Sequence, residues 1–227
     1  MSSFPRLPFM PALLSVSMLI GCASSQSTKV KDETRQAEGL YRLAQLDFSQ
    51  GKNQDAITHA KKSLEMEPKN ADAHAFLGLV YLYLSDYKSA EKSLQEAVRL
   101  NPYLTDARNM LGAVYMKTGR LEEARGAFLE CLKDKTYASP EKVLYNLGTL
   151  QLEEKQFSDA ESSFRRAVEA NAKYAKGYYG LGQALLMTGH GAEARENFEK
   201  VIALDPLSPE AVKAKEALGS SREAVKG

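Results

Sequence analysis

The strongest constraint on this chain is a repeat. Small residues at Ala44, Gly78 and Gly112 stand 34 residues apart, and Gly148 and Gly182 continue the series after steps of 36 and 34. Twelve residues after each comes an alanine, at Ala56, Ala90, Ala124, Ala160 and Ala194. Ser63, Ala97, Cys131, Ala167 and Val201 follow seven residues later, and Pro68, Pro102, Thr136, Ala172 and Pro206 five beyond those. The register defines units at 37–70, 71–104, 105–138, 141–174 and 175–208. Small residues at a fixed position let two helix backbones approach, and proline cannot continue a helix interior. Polar or glycine-containing turns at Gly51-Lys52-Asn53, Ser85-Asp86, Thr118-Gly119-Arg120, Lys155-Gln156 and Thr188-Gly189-His190-Gly191 divide every unit into two helices. A single hairpin cannot bury its apolar face, so neighbours must stack and the last needs a polar-faced cap. Residues 209–219 supply one: Pro209 starts a helix, Glu210 suits its first turn and Gly219 is expected to stop it, leaving 220–227 frayed. The expected fold class is all-α.

This register resembles the tetratricopeptide repeat (TPR), a helix hairpin with small residues at the interhelix contact and proline where the second helix ends. The resemblance covers residues 37–218 and implies a right-handed α-solenoid of about five hairpins. It also implies that the second, fifth, ninth and twelfth positions of each first helix line a concave groove. The candidates for contacting a partner there are Tyr41, Phe48, Leu79, Leu82, Asn109, Met116, Tyr145, Leu152, Tyr179, Gln183 and Leu186. Rings and aliphatic chains of this kind suit an extended or helical peptide with apolar anchors. Part of the set is equally suited to packing between adjacent helices. The Lys, Asn and Arg set with which co-chaperone repeats clamp a terminal carboxylate is absent.

Upstream of the repeats, residues 1–21 read as a lipoprotein signal peptide: one basic residue, Arg6, then an apolar or small stretch from Ala12 to Gly21. That stretch is shorter than the ~18–20 apolar residues needed to cross a bilayer. It ends in Leu19-Ile20-Gly21-Cys22, which resembles the bacterial lipobox and implies that Cys22 becomes the lipidated N-terminus of the mature protein. The alternative, a buried core cysteine, does not suit the polar Ser24-Ser25-Gln26-Ser27 tract that follows. Ala23, rather than Asp, follows the cysteine, which in this resemblance points to the outer membrane. Residues 22–36, poor in large apolar side chains, are expected to form a flexible tether holding the body off the membrane's periplasmic face.

Composition narrows the function classes. Lys and Arg number 30 against 29 Asp and Glu, and only Arg6 precedes Cys22, so the remainder balances at 29 against 29. A neutral body without a concentrated cationic run does not suit nucleic acid as a partner. His59, His74 and His190 lie in different units without metal-ligand spacing, and no nucleophile elbow, phosphate loop or dinucleotide fingerprint occurs. Cys131 takes a small-residue packing position and reads as a buried thiol. Neither an enzyme nor a metal, a cofactor or a small-molecule substrate is expected.

The fourth unit is preceded by two extra residues within DKTYASPEKVLYNLG, 134–148. Together with the lipobox and repeat count, this stretch resembles the TPR pilotin lipoproteins of type IV pilus biogenesis, including the social-gliding class. That resemblance implies binding to a secretin and promotion of its assembly in the outer membrane, in support of motility. The alternative is an adaptor of another envelope machine, such as outer-membrane protein assembly or peptidoglycan-enzyme recruitment.

Overall fold

The computed structural model describes the backbone of residues 18–224 and side-chain exposure over 31–219. Eleven α-helices make up its regular structure among the described residues: α1 (Met18–Ser49), α2 (Asn53–Met66), α3 (Ala71–Tyr83), α4 (Tyr87–Leu100), α5 (Thr105–Lys117), α6 (Leu121–Cys131), α7 (Pro140–Glu153), α8 (Phe157–Ala170), α9 (Ala175–Met187), α10 (Gly191–Leu204) and α11 (Pro209–Ala224). The all-α hairpin array expected from the period is therefore the fold. The chain divides into two compact units, Met1–Pro68 and Lys69–Gly227.

The first unit is the α1–α2 hairpin. Ala44, Ala56 and Ala60 are fully buried between its helices, with Ile57 beside them. Ser63 Oγ donates to the carbonyl of Ala37 at 2.8 Å, and His59 Nδ1 lies 2.7 Å from Oδ2 of the buried Asp47. Two polar cross-links thus fix how the helices sit against each other.

In the second unit, each hairpin closes on the contact that the small residues prepared. A methyl group added at Gly112 would come within 2.6 Å of the Phe128 ring, at Gly148 within 2.8 Å of Phe164, and at Gly182 within 2.6 Å of Phe198; Gly78 meets Leu94 in the same way. Each large side chain sits sixteen residues after its glycine and is buried. Glycine is needed because the ring fills the space that a side chain would take. Phe164 does this twice, since its ring also lies against Gly180 of the next hairpin.

The turns inside the hairpins share one further device. Gly51, Gly119 and Gly189 have φ of 76°, 77° and 85°, and the equivalent Ser85 and Lys155 are held at 60° and 62°. All five turns therefore use a left-handed residue, which glycine adopts without steric cost and an L side chain does not. Start signals are local: Asn70 Oδ1 accepts from Ala73 N at 3.0 Å and Asp86 Oδ1 from Ser89 N at 3.1 Å, satisfying free amides of α3 and α4.

Two expectations change. The stretch 22–36, read as a flexible tether, is helical along its backbone and continuous with the first repeat helix. It contains neither Pro nor Gly, so nothing interrupts a helix already nucleated by hairpin packing. Likewise α11 runs through Gly219 to Ala224, because an isolated glycine only weakens a helix when the following residues can continue it. Most of the signal-peptide reading, residues 1–17, lies outside the described residues, as does the side chain of Cys22. Residues 225–227 of the expected frayed tail do so too. Among the described residues, no helix is long and apolar enough to cross a membrane.

Candidate functional site

Within the second unit, the backbones of the odd-numbered helices α3, α5, α7, α9 and α11 approach one another in succession, whereas those of the even-numbered helices approach only odd-numbered neighbours. The odd helices therefore form an inner layer and the even helices an outer one. Ion pairs tie successive hairpins: Arg120, held by Glu123 at 2.6 Å, reaches Glu91 at 2.7 Å, Arg165, held by Glu161 at 3.0 Å, reaches Glu193 at 2.7 Å, and Arg125 pairs with Glu154.

The residues expected to line a groove separate into distinct groups. Tyr41 and Phe48 belong to the first unit and are half-buried. On α3, Leu79 is exposed and Leu82 half-buried; on α9, Gln183 and Leu186 are exposed. Tyr145, Leu152 and Tyr179 are half-buried and pack on the core that contains Phe164, Leu181, Leu185 and Phe198.

Asn109 and Met116 are corrections to the groove reading. Both are buried. Asn109 Oδ1 accepts a hydrogen bond of 2.9 Å from Asn146 Nδ2 on α7, and Met116 belongs to the core around Phe128 and Val143. Inner helices approach closely enough here for their side chains to serve each other. Their positions in the repeat are those of groove residues, but the neighbouring helix occupies the space.

The C-terminal end of the inner layer is different. The Tyr145 ring lies 5.8 Å from Tyr174, edge-on, and 5.7 Å from Phe164; Tyr179 lies 5.8 Å from Phe198. Burial is the largest influence raising the Tyr145, Tyr174 and Tyr179 hydroxyls above the usual tyrosine range. Carboxylate charge adds to it: Glu210 acts on all three, Glu141 on Tyr174 and Glu216 on Tyr179. Glu141, one turn from Tyr145 on α7, is 7% exposed and accepts from Asn171 Nδ2 at 3.4 Å. Tyr174, Glu141, Glu210 and Glu216 lie outside the four positions of each first helix expected to line the groove: Glu141 is the first residue of its unit, Tyr174 precedes α9, and both Glu210 and Glu216 lie on the cap. Tyr83, 68% exposed on α3, and Met187, 57% exposed on α9, were missed for the same reason.

The connection carrying the two extra residues is latched onto α5. Thr105 Oγ1 donates to Asp134 Oδ2 at 2.8 Å, and Tyr137 Oη to Asp106 Oδ1 at 2.5 Å. Cys131 packs beneath it, its thiol pushed up to about 12 by burial and lying 3.6 Å from the Thr105 carbonyl. Ser63 makes the same contact to the first residue of its own hairpin, so Cys131 occupies a structural hydrogen-bonding position. A neutral, buried thiol is a poor nucleophile. Among the described residues, no three His, Cys, Asp or Glu side chains are grouped to hold a metal ion.

A tetratricopeptide-repeat family model matches residues 41–104, 77–139 and 145–209. The chain belongs to the tetratricopeptide-repeat family. Among curated TPR relatives, the type IV pilus assembly protein PilF of Pseudomonas aeruginosa is 30% identical over 159 residues, which cover 67% of this chain and 62% of PilF. The chain thus spans somewhat under two thirds of that relative's length. The crystal structure of PilW, a type IV pilus biogenesis factor, matches with a TM-score of 0.73 at 22% identity, covering 84% of this chain and 89% of PilW. A solved structure of Pseudomonas aeruginosa PilF matches with a TM-score of 0.73 at 20% identity, covering 86% and 90%. This TPR chain is thus similar in sequence to one pilus assembly protein and in fold to solved pilus biogenesis factors.

Proposed function

We propose that this TPR scaffold is a lipid-anchored outer-membrane protein that binds a secretin and promotes its assembly during type IV pilus biogenesis. The observation that carries this reading is the relation to PilF, whose name assigns it to type IV pilus assembly. The half-exposed tyrosines and exposed Leu186 of the inner layer give a protein segment apolar anchors without dismantling a hairpin. The lipobox ending at Cys22 supplies the anchor, and the helical stretch 22–36 acts as a semi-rigid spacer at ~1.5 Å per residue.

Deleting the gene and immunoblotting the secretin in solubilised outer membranes tests the reading. Multimers should fall at least tenfold and return on complementation. Normal multimers in the deletion strain overturn it. Cys22→Ser should move the protein into the soluble periplasmic fraction; retention by the membrane removes the lipid anchor from the proposal.

A further inference from the structure

We propose that the face built by α7, α9 and α11 is a cation-accepting site, taking a Lys or Arg side chain of the bound protein segment between tyrosine rings and carboxylates. The proposal rests on the inner-layer reading above and adds the chemistry of the partner.

Three observations converge on one end of the molecule. Tyr145 and Tyr174 stand edge-on, with ring centroids 5.8 Å apart, and Tyr179 follows one repeat later at the position equivalent to Tyr145. Tyr145 and Tyr179 pack on the core, yet all three residues stay half-buried, so part of their surface faces the inner layer. Aromatic faces attract cations through the ring quadrupole, most strongly where water is partly excluded.

The carboxylates are also unusual. Glu141, a residue only 7% exposed, accepts one hydrogen bond, at 3.4 Å from Asn171 Nδ2, which leaves its carboxylate with acceptor capacity for a cation. Glu210, its side chain 18% exposed, has its ionic partner Lys176 at 4.0 Å, the outer limit of an ion pair. Lys176 is itself 55% exposed and free to turn towards water, so an incoming guanidinium or ammonium can replace it at short range. Glu216 adds a further acid on the same cap helix, acting on Tyr179.

Position completes the argument. Every one of these groups lies on an inner helix or on the turn leading into one, where a segment running along the inner layer would pass. At the equivalent fifth positions the earlier part of that layer carries Ala75 and the buried Asn109 in place of tyrosine. A segment running along the inner layer therefore meets this site with a basic residue at the cap end.

The experiment uses the full chain and three fluorescein-labelled nine-residue peptides, alternating Leu with Arg, with Gln or with Glu, in an anisotropy titration. The Arg peptide should bind at least tenfold more tightly than the Gln peptide, and the Glu peptide more weakly than both. Glu210→Gln combined with Glu216→Gln should remove most of the preference for Arg, read as the ratio of the Arg-peptide to the Gln-peptide affinity. Equal binding of the Arg and Gln peptides overturns the cation site, as does a preference that survives the double substitution. If the peptides bind equally and Tyr145→Ala with Tyr179→Ala abolishes all binding, the inner-layer reading stands and the cation site falls. Arg-peptide binding that persists in the tyrosine variant overturns both. Circular dichroism of each variant confirms the fold.

Discussion

Inside the hairpins of the second unit, a glycine meets a Leu or Phe sixteen residues later in every repeat, at Gly78, Gly112, Gly148 and Gly182. Along the inner layer, the equivalent fifth position changes from Ala75 to Asn109 to Tyr145 and Tyr179. Both regions are made of the same helices, so the difference lies in what each surface must satisfy. The hairpin contact of this unit is solved the same way in each repeat, a small residue beneath a large one, because the two helices must reach the same close approach. The inner layer has two tasks, packing successive hairpins and presenting a surface, and individual repeats divide them differently.

The largest expected effect sharpens this contrast. Phe164→Ala empties the space against both Gly148 and Gly180 and should cost about 3–5 kcal/mol, the range for deleting a buried aromatic ring. Tyr145→Ala, one turn from Gly148 but half-exposed, should cost less, about 1–3 kcal/mol, because only part of its ring is taken from water. Urea denaturation of both variants measures the difference; equal losses would erase the distinction between contact and surface. In the other direction, Ser85→Gly and Lys155→Gly should each raise stability by about 0.5–1 kcal/mol by relieving a left-handed L residue. The same substitution at a helical position should lower it. The smallest effect is expected at Cys131: Cys131→Ser should leave stability within about 1 kcal/mol, since Ser63 makes the equivalent bond in the first hairpin. Native Cys131 should resist iodoacetamide and react only on unfolding, as followed by mass spectrometry.

Most of the fold was legible because the constraint was repeated. Ala56, Ala90, Ala124, Ala160 and Ala194 are all fully buried, and one physical requirement met in five places is readable without an alignment. The positions that escaped are those where context decides. Nothing in the residue type of Asn109 distinguishes a groove amide from one that bonds Asn146 across a helix contact. Ser85 and Lys155 gave no sign of positive φ, because the usual signal is glycine. The acidic side of the candidate site lay hidden because Glu210 and Glu216 stand on the cap, outside the repeat register, and meet the tyrosines only once α11 docks.

The double role of Phe164 reaches beyond its own energy. Its ring is the filling of one hairpin and the wedge of the next, so the fourth and fifth repeats cannot loosen separately without both losing it. At the preceding joint, by contrast, Asp134 and Tyr137 of the connecting segment are bonded back to Thr105 and Asp106 of their own repeat. An array of nominally independent modules is thereby divided into cooperative blocks, with the last two repeats opening and closing together. The tyrosine surface they carry is consequently presented whole or not at all.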